Sequence, residues 1–188
     1  MPKALLRLGL AALAGIATAA LAAPAAFAGP AAPALTDRAS VPVSLHESGS
    51  GVVPLSAGQY RAARAAAGRP LAADEAARLA ASACWSYTRS RWAENAFGGT
   101  LYRISGTVNW CQDGRTVWGG SNSWSTSTGY GWYFDKWTNA PTGYYNPART
   151  RYDTVAQAKF CLAWCGAAAY LGQDLWGNAD GTHGASNL

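Results

Sequence analysis

The sequence predicts an all-β body: a small antiparallel β-sandwich or barrel of five to six strands, preceded by an Ala-rich N-terminal segment that is disordered or helical. Three observations carry this. All nine tryptophans of the 188 residues lie between Cys84 and Leu188. From Cys84 onward apolar residues recur with period two, the spacing of a half-buried strand. Turn residues interrupt that pattern at short intervals, as in sandwiches and small barrels.

The first element is an export signal. Lys3 and Arg7 give a positive start, Leu8 to Leu21 is an apolar run, and Ala26-Phe27-Ala28 fits the small-x-small cleavage pattern. Residues 1–28 therefore read as a signal peptide cut after Ala28, and the protein as secreted. The apolar run is short and Ala-rich, and no later stretch of about 18 apolar residues follows, so no stable membrane insertion is expected.

Residues 29–83 read as an Ala/Pro-rich linker or pro-segment. Pro30, Pro33, Pro42 and Pro54 with Gly49 and Gly51 suit an extended chain without fixed structure. Ser56 and Gln59 form a capping-box pair at the start of a short helix, which Gly68 and Pro70 end. A second helical stretch covers Leu71 to Ala83, with Asp74 and Glu75 where a helix dipole favours acids. Its large apolar residues, with those of the first helix, are only Tyr60, Leu71 and Leu79, and alanine buries little area. Neither helix is expected to stabilise itself by packing, so the segment reads as a spacer, or as a pro-region clipped near Cys84.

Residues 84–188 read as the folded domain. Cys84 to Trp92 is a first strand, and Phe97-Gly98-Gly99 a turn. Tyr102, Ile104, Val108 and Trp110 share one face of a second strand. Asp113-Gly114 is a strong hairpin signal. A strand over Arg115 to Trp124 places Trp118, Gly120, Asn122 and Trp124 on one face. A strand over Gly129 to Thr138 is aromatic on both faces. Asn139 to Arg149, with Pro141, Gly143 and Pro147, reads as a loop. Val155 to Gly172 reads as a strand with a helical alternative, Leu171 to Trp176 as the last strand, and Gly177 to Leu188 as a polar tail.

Export changes how the cysteines are read. An even count outside the cytoplasm points to bridges. The spacings of Cys84, Cys111, Cys161 and Cys165 (27, 50 and 4) contain no C-x-x-C pair, which argues against zinc. Cys84–Cys111 would join the first two strands and leave Cys161–Cys165. Residues four apart on a strand are ~13 Å apart, so that second bridge requires a turn or bulge. A regular strand there would require crossed pairing instead.

Composition and motifs exclude several functions. The full chain carries 15 Lys and Arg against 10 Asp and Glu, and without residues 1–28 the counts are 13 and 10, a net charge of +3. No basic stripe exists, so nucleic acid is not an expected partner. His46 and His183 have no Gly-x-Ser-x-Gly to serve, and no cofactor or metal motif occurs. No two of Glu94, Asp113, Asp135, Asp153, Asp174 and Asp180 are paired by spacing, so no catalytic residues are assigned. The remaining signal is an aromatic surplus. A sheet this size buries about half of its nine Trp and eight Tyr, which leaves some exposed. Trp118, Trp124, Trp132, Trp137, Tyr144 and Tyr145 lie beside Gly, Ser, Thr and Asn, a setting that suits sugar rings. The expected function is a non-enzymatic binding domain for a glycan or cell-envelope polymer. The alternatives are an antibacterial or antagonistic protein meeting an anionic envelope, and a small hydrolase with two carboxylates across a cleft.

The Ala-rich export signal, Cys84-Trp85, Phe97-Gly98-Gly99, Trp110-Cys111-Gln112-Asp113-Gly114 and the late Cys pair resemble a group of small secreted actinobacterial proteins, over roughly residues 84–176. The resemblance implies a secreted β domain and supplies no active-site residues.

Overall fold

The computed structural model describes residues 43–188; the expected export signal and its expected cut after Ala28 lie outside them. Among these described residues nine strands and two helices follow in chain order: β1 (Ser44–Gly49), β2 (Val53–Leu55), α1 (Ala57–Ala66), α2 (Ala73–Leu79), β3 (Ala83–Glu94), β4 (Thr100–Gln112), β5 (Val117–Thr128), β6 (Trp132–Tyr145), β7 (Arg151–Leu162), β8 (Ala167–Asn178) and β9 (His183–Asn187). Every pairing is antiparallel. One sheet has the order β1-β3-β4-β5, with β2 also paired to β3, and the other has β6-β7-β8-β9.

The expected all-β sandwich is present, with nine strands where five or six were expected. The extra ones come from segments with weak strand signals. β1 and β2 lie in the stretch read as structureless and pair along β3. β9 lies in the stretch read as a polar tail and pairs with β8. Val155 to Gly172 is not one element: it holds the end of β7, a turn and the start of β8. Asn139–Tyr145 is not a loop but the second half of β6. Three register shifts between Phe134 and Thr142 open the β6–β7 ladder around Pro141, which has no N–H to donate there.

Alternation puts apolar side chains of both sheets into one core. Tyr102 and Ile104 of β4 meet Phe160 of β7 and Leu171 of β8, with Trp124, Trp132, Phe134 and Trp137 packed around them. Towards the other end, Val108, Trp110, Val117, Tyr152 and Leu175 form a second cluster. Trp110 is fully buried, and its ring lies where a Cβ on Gly177 would stand, 2.2 Å away. The outward face of the first sheet is instead hydroxylated: Ser90 Oγ meets Ser105 Oγ at 2.7 Å and Thr88 Oγ1 meets Thr107 Oγ1 at 2.8 Å.

The front segment is not a detached spacer. Its capping box forms as expected, with Gln59 N donating to Ser56 Oγ and Ser56 N to Gln59 Oε1. Tyr60 is fully buried against Leu79, Cys84, Cys111 and Trp118, on the outward side of the first sheet. Its hydroxyl donates to the Gly119 carbonyl, and burial pushes its pKa up to about 12. Arg64 is buried too, paired with Glu75 at 3.1 Å. Alanine spacing hid this cluster because one tyrosine and one leucine supply its helical side.

Both bridges form. Cys84 and Cys111 stand directly opposite in the β3–β4 ladder, Cα atoms 4.0 Å apart. Cys161 and Cys165, Cα atoms 4.5 Å apart, close the β7–β8 turn. Two disulfides fit an extracellular protein. Among the described residues no helix is long and apolar enough to cross a membrane.

Candidate functional site

The six aromatics singled out by sequence divide between the core and two surfaces. Trp118 and Trp124 were expected on one face of β5. A register shift in the β4–β5 ladder, between Asn109 and Cys111, separates them. Trp118, opposite Cys111, is only 3 % exposed under the helices, its Nε1 donating to Ser82 Oγ. It is not an open platform. Trp124, opposite Gly106, turns into the core, and its Nε1 donates to Thr154 Oγ1 at 3.0 Å. Trp132 packs on Tyr102, centroids 4.6 Å apart, and Trp137 edges onto Phe134 at 5.3 Å. The β6 shift between Phe134 and Lys136 returns Trp137 to the inner face that strict alternation would deny it. Trp124, Trp132 and Trp137 are thus half-buried core residues.

Trp118 and Tyr145 do come together. They line a cavity of about 650 Å³ between α2 and the sandwich, with Asp74, Glu75, Arg78 and Arg149 around them. Their rings are covered, however. The Arg78 guanidinium sits 5.1 Å from Trp118 and that of Arg149 4.5 Å from Tyr145. Tyr145 also accepts from Gly120 N at 2.6 Å and tilts against Tyr152. Tyr144 is exposed on the outward face of the second sheet, in a row with Asp153 and Trp176.

That face also holds carboxylates that sequence could not pair, Asp153 in this row and Asp174 in the next, opposite Val155. Asp153 accepts from Arg151 Nε at 2.6 Å. Burial, then the nearby Asp153 charge, pushes Asp174 up to about 6. Neither lines the cavity beside Trp118. Asp180 accepts from Thr182 N and Oγ1, as a turn residue does. Asp135, Cys161 and Cys165 lie within 4.8 Å of one another, but the bridge uses both sulfurs.

The freely presented aromatics are others. The β3–β4 turn, the β5–β6 crossover and the β7–β8 turn all lie at one end of the sandwich, since Tyr102 pairs with Thr128 and Trp132 with Leu162. Each carries one exposed ring: Phe97 (95 % exposed), Tyr130 (69 %) and Trp164 (96 %). Tyr133 and Tyr170 are exposed behind them. Trp164 and Tyr133, with Gly131 and Ala163, line an open hollow of about 350 Å³. Lys159, opposite Tyr170 in the ladder, pairs with Asp135 at 3.0 Å and supplies polar groups nearby. The backbone around Trp164 is unusual: Ala163, Trp164 and Cys165 all have positive φ (46°, 58° and 64°). Three such residues in succession need outside constraint, which the Cys161–Cys165 bridge provides. Sequence reasoning missed Trp164. The available signal was the four-residue cysteine spacing, since a bridge there forces a turn whose apex side chain has no sheet to lie on.

No family model, no curated protein and no solved structure matches this chain.

Proposed function

We propose that the protein is a secreted, non-enzymatic domain that binds a glycan or cell-envelope polymer through exposed aromatic side chains. The observation that carries this reading is Trp164, almost wholly in solvent yet tied down by the Cys161–Cys165 bridge beside Tyr133. A large ring left in water has a hydrophobic cost that packing does not recover, and a rigid ring loses little entropy on binding. Indole and phenol faces suit the C–H edges of a sugar, while the Lys159–Asp135 pair and the tyrosine hydroxyls suit its oxygens. The binding surface proposed thus moves from the six residues chosen by sequence to the Trp164 end.

Co-sedimentation with particulate peptidoglycan, chitin and cellulose tests the reading. Retention on at least one, lost in Trp164→Ala, is expected. If the oxidised protein stays in the supernatant with all three, the reading falls.

A further inference from the structure

Resting on that reading, we infer that the ligand is the packed face of an uncharged glycan, met by three aromatic tips together, and not a single soluble chain or a charged envelope polymer.

The three tips form one continuous surface. The Tyr130 ring lies against the β3–β4 turn so closely that a Cβ on Gly99 would stand 2.6 Å from it. Gly129 N donates to Leu101 O at 2.9 Å, fastening the crossover to the start of β4. On its other side, Gly131 shares the hollow of Tyr133 and Trp164, and its position for a Cβ lies 3.4 Å from Leu162. Phe97, Tyr130 and Trp164 therefore follow one another across the end of the sandwich.

Each tip is fixed by its own device. Asn95 Oδ1 accepts from Phe97 N and Gly99 N, both at 2.9 Å. Tyr130 and Gly131 take left-handed φ values of 54° and 81°, and Trp132 N closes the turn on Gly129 O at 3.1 Å. The disulfide holds the third. Three separately held turns thus present their rings from fixed backbone positions, which lowers the ordering cost of binding.

Charge identifies the partner. Residues 95–100, 127–134 and 162–169 contain no Asp, Glu, Lys or Arg. The opposite end is charged: Asp113 and Arg115 lie in one turn, Arg149 in the next, and Asp74, Glu75 and Arg78 on α2. Of the charges that flank these segments, Glu94, Asp135, Lys136 and Lys159 balance, and Lys159 is paired with Asp135 at 3.0 Å. A surface without net charge gains little from an anionic polymer and loses little to salt. Three rings spread over three turns exceed what one sugar covers, so full engagement requires several sugars in a fixed array, which a packed face such as chitin or cellulose already presents and a flexible soluble chain must be ordered to supply. Joint engagement then multiplies weak single contacts.

The test is retention of the oxidised protein on particulate chitin and cellulose, with Phe97→Ser, Tyr130→Ser and Trp164→Ser variants whose fold is checked by circular dichroism. The inference expects each variant to lose roughly 10-fold in affinity, the loss of one anchor. It expects retention to survive about 1 M salt, where screening acts within about 3 Å, and a soluble chito-oligosaccharide to compete poorly. If only Trp164→Ser loses binding, the three-tip inference is overturned while the binding reading stands. Preference for peptidoglycan over chitin and cellulose, or release by salt, also overturns it alone. Sedimentation with phosphatidylcholine vesicles and with no glycan overturns both.

Discussion

Cys161 is bonded to Cys165 across a turn in which Trp164 is the most exposed large hydrophobic side chain of the described residues. The bridge therefore fixes a surface, whereas Cys84–Cys111 joins two long strands beneath the helices. The loop-entropy relation gives about 3.6 kcal/mol for a closed loop of Cys84 to Cys111 and about 2 kcal/mol for Cys161 to Cys165. Replacing the first pair by serine is expected to lower the urea midpoint more than replacing the second. Replacing the second is expected to cost more polymer binding. Urea unfolding beside co-sedimentation checks both.

Tryptophans 110 and 164 are predicted to behave oppositely. Trp110→Ala empties the fully buried position against Gly177 and is expected to cost about 3–5 kcal/mol. Trp164→Ala removes a ring standing in solvent and is expected to stay within about 0.5 kcal/mol of the parent. Gly177→Ala forces a methyl into the Trp110 ring, with an expected cost of about 1–3 kcal/mol. Denaturant midpoints of the three variants decide the matter.

Alternation made β3, β4 and β5 legible, and Asp113-Gly114 placed their second hairpin. Asp113 Oδ1 accepts from Arg115 N and Thr116 N, and Gly114 has a φ of 83°, as that turn requires. What was not legible depends on pairing. β1 and β2 carry Ser, Pro and Gly because each is bonded along one edge to β3 and has little apolar face to bury. β9 is polar for the same reason. Period two also cannot tell inside from outside once a bulge intervenes. One register shift sent Trp118 and Trp124 to opposite sides of the sheet, and another brought Trp137 inward. Trp124 and Trp137 were lost to the core by this effect, while Trp118 is covered by the helices instead.

The front segment is predicted to be required for folding. Deleting residues 43–83 uncovers Trp118 and the Cys84–Cys111 bridge and removes two strands. The shortened chain is expected to aggregate or to lose the cooperative transition of the parent. Tyr60→Phe, which leaves the Gly119 carbonyl without its donor, is expected to cost about 1–3 kcal/mol. Circular dichroism melts of both compare directly with the parent.

Asp174 gives the protein a pH dependence of definite sign. Its folded pKa, about 6, lies above the ordinary value of 3.8. The folded state thus binds this proton more tightly than the unfolded state does. The contribution favours folding below about pH 4 and is lost as pH rises through 6. The shift of about 2 units bounds it at about 3 kcal/mol. Subtracting the stability-versus-pH curve of Asp174→Asn from that of the parent should leave a difference that worsens for the parent between pH 4 and 6.5. A flat difference would show that Asp174 titrates normally.

The account rests on an indole held out in water by a sulfur-closed turn and used there. Labelling the protein with 5-fluorotryptophan gives nine fluorine signals, and Trp164→Phe identifies the one that matters. The account predicts that this signal has the largest shift on exchanging water for heavy water, and that it is the first to broaden when chitin or cellulose is added. A Trp164 signal insensitive to solvent, or unchanged while the protein is retained on the polymer, would contradict it.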